Sequence, residues 1–181
     1  MKIVNNISPL ITFLLYSTFL FSKGPAVYEG LPGDKDSAVV YCEIGNSKMN
    51  EKEYRTAVEC FTKAIEKDPS LATAYLNRAY VKNKMMDYKG ALADYTRALQ
   101  LKLTWEESYE AYFNKGLTLA MLENLKAAMA DFNYAIKLNP EFADAYYNRS
   151  ILKGKIGDLQ GELVDINKVI YLKPADADAY N

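Results

Sequence analysis

Four segments of the chain, beginning at Ala38, Ala72, Tyr109 and Ala143, align residue by residue, and this repetition limits the fold more than any other feature. The fourth position of each is Tyr41, Tyr75, Tyr112 and Tyr146, and the eighth is Gly45, Ala79, Gly116 and Ser150. The twentieth is Ala57, Ala91, Ala128 and Glu162, and the twenty-fourth is Phe61, Tyr95, Phe132 and Ile166. Ala64, Ala98, Ala135 and Val169 fill the twenty-seventh, and Pro69, Pro140 and Pro174 close three of the segments.

Small residues at the eighth and twentieth positions allow two antiparallel helices to approach closely, with the aromatic positions filling the space above and below. A single pair cannot cover its own apolar face, so each needs a neighbour and the copies stack into a curved, all-α solenoid. The pattern predicts helices over roughly 38–50, 54–67, 71–84, 88–102, 105–121, 125–138, 142–155 and 159–172. Asp68-Pro69-Ser70 and Asn139-Pro140 supply turns between them.

An aromatic, a small residue, then Ala, aromatic, Ala and Pro in this order resembles the tetratricopeptide repeat family, whose unit is about 34 residues. The resemblance covers about three quarters of the chain, as repeats 38–71, 72–108, 109–142 and 143–176. Three departures stand out. Leu103 replaces the closing proline of the second repeat, and Thr104-Trp105-Glu106-Glu107 lengthens it. Thr104 with Glu107 reads as a capping box, so the next helix should begin early, with Trp105 packing at the joint. Glu162 stands where a small residue is expected, so the fourth helix pair should fit less closely and be the least stable. Residues 177–181, Ala-Asp-Ala-Tyr-Asn, resemble the opening of repeat four and read as the start of a further or closing helix. An end face left apolar there would be covered by self-association or by further chain.

The resemblance implies that the first helix of each pair lines a concave groove, at repeat positions two, five, six, nine, twelve and thirteen. Position five holds Cys42, Leu76, Phe113 and Tyr147, and position nine holds Asn46, Tyr80, Leu117 and Ile151, giving an apolar, aromatic groove. Position six holds Glu43, Asn77, Asn114 and Asn148. An amide both donates and accepts, so stacked asparagines could hold a peptide backbone without reading its side chains, or could simply be solvated. Tyrosines at helical spacing serve equally as core.

The family's best-known motif clamps acidic chaperone tails with lysines, an arginine and asparagines. Asn46 and Asn77 match two of its members, but Cys42, Glu110 and Asn114 stand where cations belong. Glu43, Glu110 and Asp144 would repel an acidic tail, which points to an uncharged or partly basic segment.

Composition narrows the remaining classes. The chain has no histidine, so it lacks the usual general base and the commonest nitrogen ligand for metals. Asp94, Asp131 and Asp165 recur at one repeat position, as a solvated or helix-pairing stripe rather than a catalytic constellation. No phosphate loop, nucleophile elbow or metal spacing is present, so no catalytic residue, metal site or cofactor is expected. A net charge of -1 gives no field to gather nucleic acid. Cys42 and Cys60 fall on different faces of adjacent helices and read as apolar fillers.

Ahead of the repeats, one lysine and the uncharged run from Ile7 to Phe21 make residues 1–22 a signal for export or a membrane anchor. The run is about fifteen residues, shorter than the roughly 20 that span a bilayer, which favours cleavage and a periplasmic or secreted product. Glycines and prolines make 23–37 a flexible linker. Together these readings predict a scaffold that binds a partner peptide or helix in its groove. The competing prediction is a self-associating repeat protein whose groove is unused.

Overall fold

The computed structural model describes residues 34–174. Eight helices follow one another: α1 Asp34–Asn50, α2 Tyr54–Lys67, α3 Ala72–Lys84, α4 Tyr88–Leu99, α5 Trp105–Met121, α6 Leu125–Leu138, α7 Ala143–Lys155 and α8 Leu159–Leu172. They pack as the pairs α1/α2, α3/α4, α5/α6 and α7/α8, each resting on the next, and α1 also meets α3 as α3 meets α5. Direct contact between successive first helices puts them on the inner side of the solenoid's curve. The segment read as a signal or anchor, linker residues 23–33 and residues 177–181 lie outside the described residues. None of the described helices is long and apolar enough to cross a membrane.

The predicted helix boundaries differ from those observed mainly at two ends. α1 starts at Asp34 rather than Ala38, because its added turn has something to pack: Ser37 and Ala38 are both buried. α4 stops at Leu99, with Gln100 and Leu101 turning back onto Arg97 and Ala98, so the extra residues of the second repeat feed the cap of α5. That cap is a full capping box: Glu107 N donates to Thr104 Oγ1 at 3.1 Å and Thr104 N donates to Glu107 Oε2 at 2.8 Å.

Within each pair the same turn recurs. Lys52, Met86, Glu123 and Gly157, all at the fifteenth repeat position, adopt left-handed backbone with φ of 62°, 62°, 59° and 83°. The next residue's N–H reaches five residues back, as from Asp87 to Lys82 O at 2.9 Å, closing the helix end in a Schellman-type turn. Asp87, Asn124 and Asp158 then cap the second helices through the backbone N–H three residues on.

Close approach of the helices follows the small residues. A Cβ at Gly45 would lie 2.6 Å from the Phe61 ring, and one at Gly116 would lie 2.7 Å from the Phe132 ring. In repeat four the exception at Glu162 is accommodated by Gly154, against which its carboxylate lies. α8 fully buries only Asp165 and Val169, whereas α2, which α3 also covers, buries Ala57, Cys60, Phe61 and Ala64.

Candidate peptide-binding face

Buried ion pairs, not evident from the aspartate stripe alone, hold the first helix of repeats two, three and four to its second helix. The cation at repeat position seven reaches the aspartate sixteen residues later, at position twenty-three. Arg78 grips Asp94 with two hydrogen bonds of 2.9 and 2.7 Å, and Lys82 adds a third at 2.8 Å. Lys115 meets both oxygens of Asp131 at 2.8 and 2.6 Å. Arg149 holds Asp165 at 2.8 and 2.6 Å, joined by Lys153 at 2.9 Å. All three aspartates are buried, so the helix-pairing reading of this stripe holds and the solvated one does not.

These guanidinium groups also cross to the preceding repeat. Arg78 Nη1 donates to Thr62 Oγ1 at 3.0 Å and Arg149 Nη1 donates to Asn133 Oδ1 at 2.5 Å. Repeat one has no such pair, since Ile44 and the buried Cys60 take the two positions. The carboxylates respond differently to their surroundings. Burial pushes the Asp131 carboxyl above its usual range, and Lys115 only partly opposes it. Burial also acts to raise Asp165, but the hydrogen bonds from Arg149 and Lys153 outweigh it and hold that carboxyl below its usual range.

Against this frame the predicted groove residues separate into two groups. Leu76 is half-buried and packs against Ala79, Ala91 and Tyr95. Phe113 is half-buried in a run of rings, 5.8 Å from Phe132 and 4.8 Å from Phe142. Phe142 in turn meets Tyr109 at 5.1 Å, and Tyr109 meets Trp105 at 5.3 Å, so the tryptophan does sit at the joint, with half of its surface exposed. Position five thus packs into its own repeat at Leu76 and reaches the joint with the next first helix at Phe113. Cys42, at the same position, is buried beside Thr73 and Asn77, and burial pushes its thiol up.

The exposed group is Tyr80, Tyr147 and Ile151, at 41%, 38% and 39% exposure. Lys84 Nζ stands 5.0 Å from the Tyr80 ring centre. The asparagines do not form an uninterrupted ladder. Asn77 Nδ2 donates to Asn46 Oδ1 at 2.8 Å, linking α3 to α1. Asn148 Nδ2 turns back to Asp144 O at 2.8 Å within α7. The side-chain amide of Asn114, half-buried, makes no hydrogen bond among the described residues. A further amide, which the sequence did not single out, bridges α3 to α5: Asn83 Nδ2 donates to Thr118 Oγ1 at 2.8 Å. Glu43 and Glu110 are exposed, and Asp144 is exposed and paired with Lys173 at 2.7 Å.

Comparison with known proteins matches this architecture. Models of the tetratricopeptide repeat match residues 38–71 and 84–141, together just over half of the chain. Small glutamine-rich tetratricopeptide repeat-containing protein beta of Homo sapiens is 34% identical over 88 residues, 49% of this chain and 29% of that protein. The heat shock protein sti1 homolog of Schizosaccharomyces pombe is 33% identical over 93 residues, 51% of this chain and 15% of that protein. The chain thus spans less than a third of the length of these relatives. Among solved structures, that of MamA protein superimposes with a TM-score of 0.70 at 24% identity, covering 76% of this chain and 73% of that one. The first tetratricopeptide domain of Spaghetti (RPAP3), bound to the HSP90 peptide SRMEEVD, gives 0.65 at 24% identity, covering 71% and 99%. At such identities these structures show a shared fold.

Proposed function

Because this chain belongs to the tetratricopeptide repeat family, we propose that it is a non-catalytic scaffold whose inner face holds a segment of a partner protein. The observation that carries this reading is the set of exposed side chains Tyr80, Tyr147 and Ile151 on inner positions of α3 and α7, set among amides that donate and accept. The partner segment is uncharged or carries basic residues. Glu43 and Glu110 are exposed at inner positions, and the thiol of Cys42, where an acid-binding clamp would need a lysine, is buried. The inner face is therefore set against acidic tails of the SRMEEVD kind.

The uncharged run from Ile7 to Phe21 supports an exported or membrane-tethered location for this scaffold. The test is crosslinking capture from the native host with the full chain, comparing wild type with Tyr80→Ala/Asn114→Ala/Tyr147→Ala. These side chains are at least partly exposed, so the variant should keep its helical circular dichroism. A partner held by wild type and lost by the variant supports the inner face; equal capture by both rejects it.

A further inference from the structure

The residues Thr104–Glu107 that lengthen the second repeat give α5 a turn that α3 and α7 stack without, since those helices begin at Ala72 and Ala143. The added turn carries Trp105, the chain's single tryptophan. Its ring meets the edge of Tyr109 at 5.3 Å, yet 52% of its surface stays exposed. Tyr109 continues through Phe142 to Phe113, so the exposed indole ends an aromatic run that reaches inner position five.

Elsewhere in the molecule the chain's own cations cover such rings. The four tyrosines at position four each carry a lysine or arginine 5.3 to 5.9 Å from the ring centre. The exposed rings of Tyr80 and Tyr171 carry Lys84 and Lys168 at 5.0 and 4.9 Å. An indole attracts a cation more strongly than a phenol does, but among the described residues no lysine or arginine lies over Trp105 or Tyr109. Carboxylates stand unpaired beside them. Glu106 and Glu110, four residues apart on the neighbouring ridge of α5, are exposed and make no ion pair or side-chain hydrogen bond among the described residues. Between residues 102 and 110 the three glutamates outnumber a single cation, Lys102.

We infer that Trp105 is the seat of a cationic side chain, arginine above all, carried by the partner segment where it passes the start of α5. A guanidinium stacks flat on the indole and turns its edge donors to Glu106 and Glu110, which an ammonium does less well. Glu106 and Glu107 also offset the positive end of α5, which would otherwise oppose a cation there. An acidic side chain would be repelled by both free glutamates, and an apolar one would cover them without pairing them. The inference rests on the reading of the inner face as a peptide site and adds to it one fixed point, a basic residue beside the third repeat.

Because Trp105 is the only tryptophan, fluorescence excited where tyrosine does not absorb reports this seat alone. The full chain is titrated at low salt with capped tetra-arginine and with capped tetra-citrulline, which keeps the shape and removes the charge. Both titrations are repeated on Glu106→Gln/Glu110→Gln and on Tyr80→Ala/Tyr147→Ala, with circular dichroism checking the fold. Tetra-arginine is expected to shift the emission saturably and tetra-citrulline to require roughly tenfold or more peptide. The glutamine variant should bind tetra-arginine roughly fivefold or more weakly, and the alanine variant should match wild type. An emission unmoved by tetra-arginine, an equal response to tetra-citrulline, a glutamine variant that binds as wild type, or a response lost on the alanine variant would overturn the seat. Partner capture unaffected by Tyr80→Ala/Asn114→Ala/Tyr147→Ala would reject the inner face while leaving the tetra-arginine response of Trp105 in place, so the two readings fail separately.

Discussion

The amide of Asn77 on α3 donates to the amide oxygen of Asn46 on α1 at 2.8 Å, so two inner positions of successive repeats are tied to each other. This link fixes the register of the first two repeats along the inner face and leaves the exposed aromatic side chains further along to meet a partner. Replacing Asn77 by alanine should cost about 1 kcal/mol of stability, the usual worth of one half-buried hydrogen bond, as read by chemical denaturation.

Gly116 is the tightest test of helix approach. A methyl group there would lie 2.7 Å from the Phe132 ring, and the ring is buried, so it has little room to turn away. Gly116→Ala should destabilise the chain by about 1–3 kcal/mol, the usual cost of overpacking, seen as a lowered melting temperature.

Met86 is exposed and holds φ of 62° in the turn between α3 and α4. The corresponding position of repeat four is Gly157, which adopts this region without strain. Met86→Gly should therefore stabilise the chain by about 0.5–1 kcal/mol, measured in the same denaturation assay.

The two repeat aspartates should respond to pH in opposite senses. Asp165→Asn breaks a pair in which Arg149 and Lys153 hold the carboxyl below its usual range. At neutral pH it should cost about 2–3 kcal/mol, less than for a fully enclosed pair because Arg149 still reaches water. That cost comes from the ionised form, so it should shrink as the medium is acidified through the lowered native pKa. Asp131 has a raised native carboxyl pKa, so the native state binds its proton more tightly than the unfolded chain does. Wild type should gain on Asp131→Asn as pH falls through that raised value. Denaturation of both variants across the acid range checks the signs.

Most of the architecture was legible because the repeat spacing reports it four times over. The eight helices, the Thr104–Glu107 capping box and the seating of Phe61 and Phe132 on glycine all follow from residue size and position. Periodicity, however, gives the side a residue faces and not how deep it sits. Leu76 and Phe113 share position five with Tyr147, yet Leu76 packs into the core of its own repeat and Phe113 into a run of rings, while Tyr147 and Tyr80 stay partly exposed. The pairing of Arg78 with Asp94, Lys115 with Asp131 and Arg149 with Asp165 was present in the sequence as a constant sixteen-residue interval. Alignment by repeat compares residues within one position and so does not join position seven to position twenty-three. The asparagine row was legible as residues but not as bonds, since an amide's partner depends on whether the next helix or its own backbone is nearer.

Binding at the inner face is measured most directly by selecting peptides from a random display library on the full chain, repeated on Tyr80→Ala/Tyr147→Ala. Enriched sequences should carry apolar side chains and lysine or arginine but few carboxylates, and should be lost on the double variant. Enrichment of acidic tails like SRMEEVD, or of peptides that bind the double variant equally well, would contradict such binding.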